Sequence, residues 1–206
     1  MTNTDFTDSG VDGVIIEGTG STILIDNSTI TDCNNNGLYV AAYQNVTIRR
    51  NAVRRIGLLA GRGKSGDGQF TAIQSSAIQN TLIENNTIDS VGYNGISVQD
   101  KTTIRRNLIS NFCITKSDGG GVYLHNGTEL PMANIRIESN IIRNGIGTTS
   151  GLVADSFGGS GAHGIFLDDC VQGVDIIDNT IADCRGLGVL MHAVSRVNFM
   201  ALRHFW

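Results

Sequence analysis

The chain has 206 residues, a net charge of −4, 26 glycines and a single proline, Pro131. That length is enough for one domain with a sizeable core, expected to span residues 1–206. The acidic balance advertises no basic surface for nucleic acid, and no apolar stretch approaches the length needed to span a membrane.

The N-terminus, MTNTDFTDSGVDG, has neither the basic nor the apolar region of a secretion signal, and residues 1–12 read as a cap or an irregular lead-in. GVIIEG at 13–18 reads as a partial coil. A motif then recurs: apolar, gap, apolar, two positions, Asn, gap, apolar. It is IxIxxSxI at 23–30, VxIxxNxV at 46–53, TxIxxNxI at 81–88 and 102–109, IxIxxNxI at 135–142 and VxIxxNxI at 174–181. Its central polar residues are Ser28, Asn51, Asn86, Asn107, Asn140 and Asn179, spaced by 23, 35, 21, 33 and 39 residues. A minimum period in the low twenties with β-type alternation marks a solenoid. Leucine-rich repeats fit less well, because the Leu ladder is missing and no helical segment follows each strand. Abundant Gly, Asn and Thr suit an all-β chain with tight turns and suit helices poorly. The expected fold is all-β, a right-handed parallel β-helix of about seven coils, with Asn side chains stacked from turn to turn.

A second, Gly-led unit starts at Gly37, Ala72, Gly95, Gly121, Gly164 and Gly188. Alternation turns Leu38 and Val40, Ile96 and Val98, Val122 and Leu124, Ile165 and Leu167, and Val189 and Met191 inward. From the Asn position to this unit takes nine residues in the plain coils, but 21, 14 and 24 residues after Asn51, Asn107 and Asn140. Three loops, at 54–70, 110–120 and 143–162, should therefore leave one corner, as binding rims of solenoids do. The loop GRGKSGDG at 61–68 lacks the spacing of a phosphate loop. Cys33, Cys113, Cys170 and Cys184 form neither a metal pattern nor a disulfide framework, and read as small buried fillers. After Val197 the repeat fails, with Leu202 where Asn is expected, so 201–206 reads as an irregular tail of a piece of a longer chain.

Two outward columns carry the polar chemistry. On the long unit, Asp26, Arg49, Glu84, Arg105, Glu138 and Ile177 form a cross-coil charge ladder of structural character. On the Gly-led unit the column is Ala41, Ser76, Gln99, His125, Asp168 and His192, so a His-Asp-His stripe is expected at the ~4.8 Å coil spacing. Beside it run Tyr39, Gln74, Ser97, Tyr123, Phe166 and Leu190. Aromatics next to imidazoles and a carboxylate suit a sugar-binding surface. A carboxylate also tunes the basicity of the imidazoles beside it, as general acid/base work requires. The same trio matches a metal triad as a weaker alternative.

KSDGGGVYL at 116–124, HGIFLDDCVQGVDIIDNTI at 163–181 and LGVLMH at 187–192 resemble the right-handed parallel β-helix proteins of the pectate-lyase superfamily. They are similar in particular to secreted bacterial members related to glycoside hydrolases and polysaccharide lyases. The resemblance covers about residues 13–199. It implies an extended polysaccharide substrate, with hydrolysis preferred. Asp118 with Asp168 or Asp169 would be the carboxylate pair, and His125 and His192 supporting acid/base or sugar-contact groups. Tyr123, Phe166, Gln99, His163 and Lys116 are expected to contact substrate. A lyase, with His or Lys116 abstracting a proton, is the enzyme alternative, and a non-catalytic glycan-binding or structural module the other. No cofactor is called for, and Ca²⁺ is the ion to consider should one bind. The parent protein is expected outside the cell, at its surface or in the periplasm, with neither nucleic acid nor membrane as partner. Open solenoid ends invite self-association.

Overall fold

A computed structural model describes residues 1–148 and 161–205 of the chain. They form 22 strands in three parallel sheets of eight, seven and seven strands, with no helix among the described residues. Each strand pairs with the strand three places along the chain, so the backbone climbs through seven three-stranded coils after one leading strand. The solenoid expected from the repeat is present.

The recurring motif is two strands, not one. Gly20–Asp26 and Thr29–Cys33, for example, belong to different sheets, and only Asn27 and Ser28 stand between them. The first residue of each such corner is left-handed: Asn27, Arg50, Asn85, Arg106, Ser139 and Asp178 have φ from 48 to 55°. The second is the ladder residue, whose side chain turns inside. One left-handed residue thus reverses the chain direction enough to change sheets without a loop.

The ladder explains why the corner needs Asn. The Asn107 Oδ1 accepts the Asn86 backbone N–H and the Asn86 Nδ2, both at 3.0 Å. Its own Nδ2 donates to the Ile83 carbonyl and to the Asn140 Oδ1, again at 3.0 Å each. The same pattern links Asn51 to Asn86 and Asn140 to Asn179. Every ladder Asn is buried, so an amide with two donors and an acceptor satisfies groups that water cannot reach.

Inside, Ile25, Ile48, Ile83, Ile104, Ile137 and Ile176 stack in one column and are fully buried. This column, with Ile30, Val53, Ile88, Ile109, Ile142 and Ile181, makes up much of a continuous apolar core. β-branched residues suit the pleated inner face. The head of the Gly-led strand is where consecutive coils touch: a Cβ on Gly95 would lie 2.5 Å from the Gly121 carbonyl oxygen. Outside, the charge ladder forms as patterned, with Arg49 and Arg50 on Asp26 at 3.1 and 2.6 Å and Arg105 on Glu84 at 2.8 Å.

The ends differ from expectation. Residues 1–12 are neither irregular nor a separate cap, since Asp5–Ser9 pairs with Thr29–Cys33 as a further parallel strand. The tail does not break the solenoid either: Ser195–Met200 and Arg203–Phe205 continue two sheets. Leu202 stands at the ladder position, and Arg203 N–H bonds the Asn179 carbonyl at 2.9 Å as in the coils before it. Met191 and Phe199 stand in register with the buried Leu167 and Ile176 and are 45 and 43% exposed. The cysteines are free; burial pushes the Cys33 and Cys184 thiols up to about 11, as fits fillers.

Candidate active site

The Gly-led sheet runs through Leu38–Ala41, Ile73–Ser76, Ile96–Val98, Gly119–His125, Ala162–Asp168 and Val189–Met191. Its register places His125 opposite Asp168, and His192 N–H bonds the Leu167 carbonyl one step earlier. The expected stripe therefore forms by backbone pairing alone, and the side chains join it. Asp168 Oδ1 lies 3.0 Å from His192 Nδ1, and Asp169 Oδ1 lies 3.2 Å from the same nitrogen. His125 Nε2 lies 3.3 Å from Asp169 Oδ2. The order is thus His125, Asp169, His192, Asp168, with Asp169 turned back into the row by a left-handed backbone (φ 42°).

Asp168 is the fixed member of this row. Its second oxygen accepts the Tyr123 hydroxyl at 2.9 Å, so both carboxylate oxygens have partners and its side chain is 19% exposed. The Asp168 hydrogen bond raises the His192 imidazole above its ordinary value. Burial, followed by the hydroxyl's own hydrogen bond to Asp168, raises the Tyr123 phenol. Asp168, Asp169 and His192 bring one ligand atom each within 4.8 Å of one another, a set that suits a divalent cation.

A cleft of about 420 Å³ opens over this sheet. Its floor is Gln74, Ser76, Ser97, Gln99 and Tyr123, from three successive coils, and His125, Asp168 and Asp169 close one end. The insertions supply the walls. Asp67 and Gly68 come from the segment between Ile56 and Ile73, and Asp118 from the segment after Phe112. Of the third insertion, residues 149–160 lie outside the described residues. Asp118 is exposed and left-handed (φ 61°), and its backbone carbonyl accepts the Tyr93 hydroxyl at 2.8 Å. No hydrogen bond to its carboxylate is present among the described residues.

Three expected substrate contacts lie elsewhere. Phe166 is only 4% exposed, because Tyr123 and His163 stand edge-on to it at 5.3 and 5.2 Å between ring centres. It supports the Tyr123 ring from below and does not floor the cleft. His163 is 1% exposed; its Nδ1 accepts the Leu187 N–H at 2.9 Å, and burial lowers its pKa. Here the imidazole does what Asn36 and Asn94 do one or more coils earlier, capturing the N–H of Thr71 and of Gly120. It belongs to a second inner ladder. Lys116 does not line the cleft. Its ammonium lies 4.9 Å from the Phe70 ring centre and 5.1 Å from that of Tyr93, and it donates to the Gly66 carbonyl at 2.6 Å. Burial lowers its pKa. Its position ties two insertions together.

Two cleft residues carry no repeat signal. Tyr93 and Asp67 line the cleft and are singled out by neither column. Tyr93 sits in VGYNG, immediately before the Asn94–Gly95 corner from which the longer coils insert their loops, and that position is the cue that could have found it. Asp67 sits in the Gly-rich loop, where periodicity offers no register.

No curated protein and no solved structure matches the chain. The sequence profile of the right-handed beta helix region matches residues 1–60 and 71–201. The three-sheet coil, the inner Asn ladder and that match together place the chain in the right-handed beta helix family.

Proposed function

We propose that the chain binds an extended polysaccharide along the outer face of the Gly-led sheet and hydrolyses it in the acidic cleft. The observation that carries this is the convergence of Asp118, Asp168 and Asp169 with His125 and Tyr123 on one open groove. Glycoside hydrolysis asks for two carboxyl groups in different roles, one held in place and one able to give and take a proton. Asp168, clamped by Tyr123 and His192, fits the held role. Asp118, exposed and lining the same cleft, fits the proton-exchanging role. Gln74, Gln99, Ser76 and Ser97 offer the mixed donors and acceptors that sugar hydroxyls need, repeated at the coil spacing along the groove.

Proton abstraction by Lys116 has no support, since that amine is engaged by two rings and a carbonyl away from the groove. The natural place for such an enzyme is outside the cell, where polysaccharides are found. The test is incubation of the purified chain with plant, algal and host glycans, reading new reducing ends and ultraviolet absorbance in parallel. Reducing ends without absorbance are expected. Absorbance rising with them would make the protein a lyase, and binding without either product would make it a binding module.

A further inference from the structure

The charge of the groove narrows the substrate class. Four carboxylates line it: Asp67 and Asp118 on the walls, Asp168 and Asp169 at the end. No Arg or Lys is among its described lining residues. The single imidazole of the lining, His125, already faces Asp169 at 3.3 Å, and His192 just beyond is engaged by both aspartates. Lys116, which does not line the groove, donates to the Gly66 carbonyl and lies against two ring faces. The negative field reaches the groove's own side chains. Tyr93 is raised first by burial, then by Cys113, and further by Asp118, Asp67 and Asp168, and Asp118 acts on the buried His163 as well.

A glycan lying in the groove brings its charged substituents among carboxylates supplied by three segments of the chain. A uronate carboxylate would be repelled there with no cation to receive it. A protonated sugar amine has three donors and no acceptor, and the groove supplies acceptor oxygens on both walls and at its end. We infer that the groove takes a glycan bearing free amino groups, such as a deacetylated hexosamine polymer, and rejects polyuronates. This rests on the polysaccharide reading above and sharpens its substrate.

The experiment is isothermal titration of the full chain, in chelator and at mildly acidic pH, with three oligosaccharides of equal length. These are oligoglucosamine, its N-acetylated counterpart and oligogalacturonate. Oligoglucosamine should bind at least tenfold more tightly than either of the others, and the advantage should shrink as salt is raised. Asp67→Asn should also reduce it, without touching the hydrolytic residues. Equal binding of the N-acetylated oligomer, an advantage insensitive to salt, or no binding at all would overturn the inference. So would a preference for oligogalacturonate, in chelator or with Ca²⁺ added to bridge Asp168 and Asp169. Because binding is read directly, the two proposals fail separately. Preferred amine binding without new reducing ends leaves this inference standing and sinks hydrolysis, whereas hydrolysis of polygalacturonate does the reverse.

Discussion

Replacing Asn107 by Leu probes the inner ladder where it is complete on both sides. The side chain is 2% exposed and makes four hydrogen bonds, all at 3.0 Å. Leu fills a similar volume but returns none of them. The Asn86 backbone N–H and one Asn86 amide proton lose their acceptor inside the coil. At about 1–3 kcal/mol per orphaned group, the loss should be about 2–6 kcal/mol. At this chain length each kcal/mol moves the midpoint by about 2–4 °C, so Tm should fall by about 4–24 °C. Thermal unfolding followed by circular dichroism measures this, with the wild-type β spectrum retained at low temperature. A Tm within about 2 °C of wild type would refute the ladder as a source of stability.

Other outcomes follow from the same geometry. Arg106 is exposed and left-handed (φ 53°), so Arg106→Asn should stabilise by about 0.5–1 kcal/mol, and destabilisation in chemical unfolding would contradict the corner assignment. Gly95→Ala should destabilise by about 2 kcal/mol or more, because the new Cβ would meet the Gly121 carbonyl at 2.5 Å; an unchanged midpoint would show that the coils can separate there. His163 has a lowered pKa when folded, so its contribution is complete above the ordinary imidazole value and is lost as pH falls through the folded value. Wild type should therefore lose Tm on mild acidification more steeply than His163→Gln, and parallel pH profiles would argue against its burial as a neutral acceptor.

Much of the fold was legible in the sequence because a coil repeats its physical needs. The buried corner amide, the close approach at the Gly position and the inward Ile columns each impose a residue type at a fixed register. What periodicity could not show was the number of strands. A corner of two residues, Asn27 and Ser28 for instance, leaves no gap in the apolar pattern, so two strands read as one. The stripe of His125, Asp168 and His192 was legible for the same reason of register. Burial of its neighbours was not. Phe166 faces outward by alternation, yet rings from another coil and from its own strand cover it. His163 replaces an Asn in a ladder whose other members are not adjacent in sequence. Tyr93, Asp67 and the position of Lys116 depend on how insertions fold back, which no repeat encodes.

The central claim is that Asp168 and Asp118 act together on a glycosidic bond. Its most direct test is the rate of reducing-end release by wild type, Asp168→Asn and Asp118→Asn on the glycan that binds best. Each substitution should lower turnover by about 10²–10⁴-fold, with Tm close to wild type because Asn keeps the shape of each side chain, and with any loss of glycan affinity far smaller than the loss of turnover. Turnover within a few-fold of wild type in either variant would contradict the account.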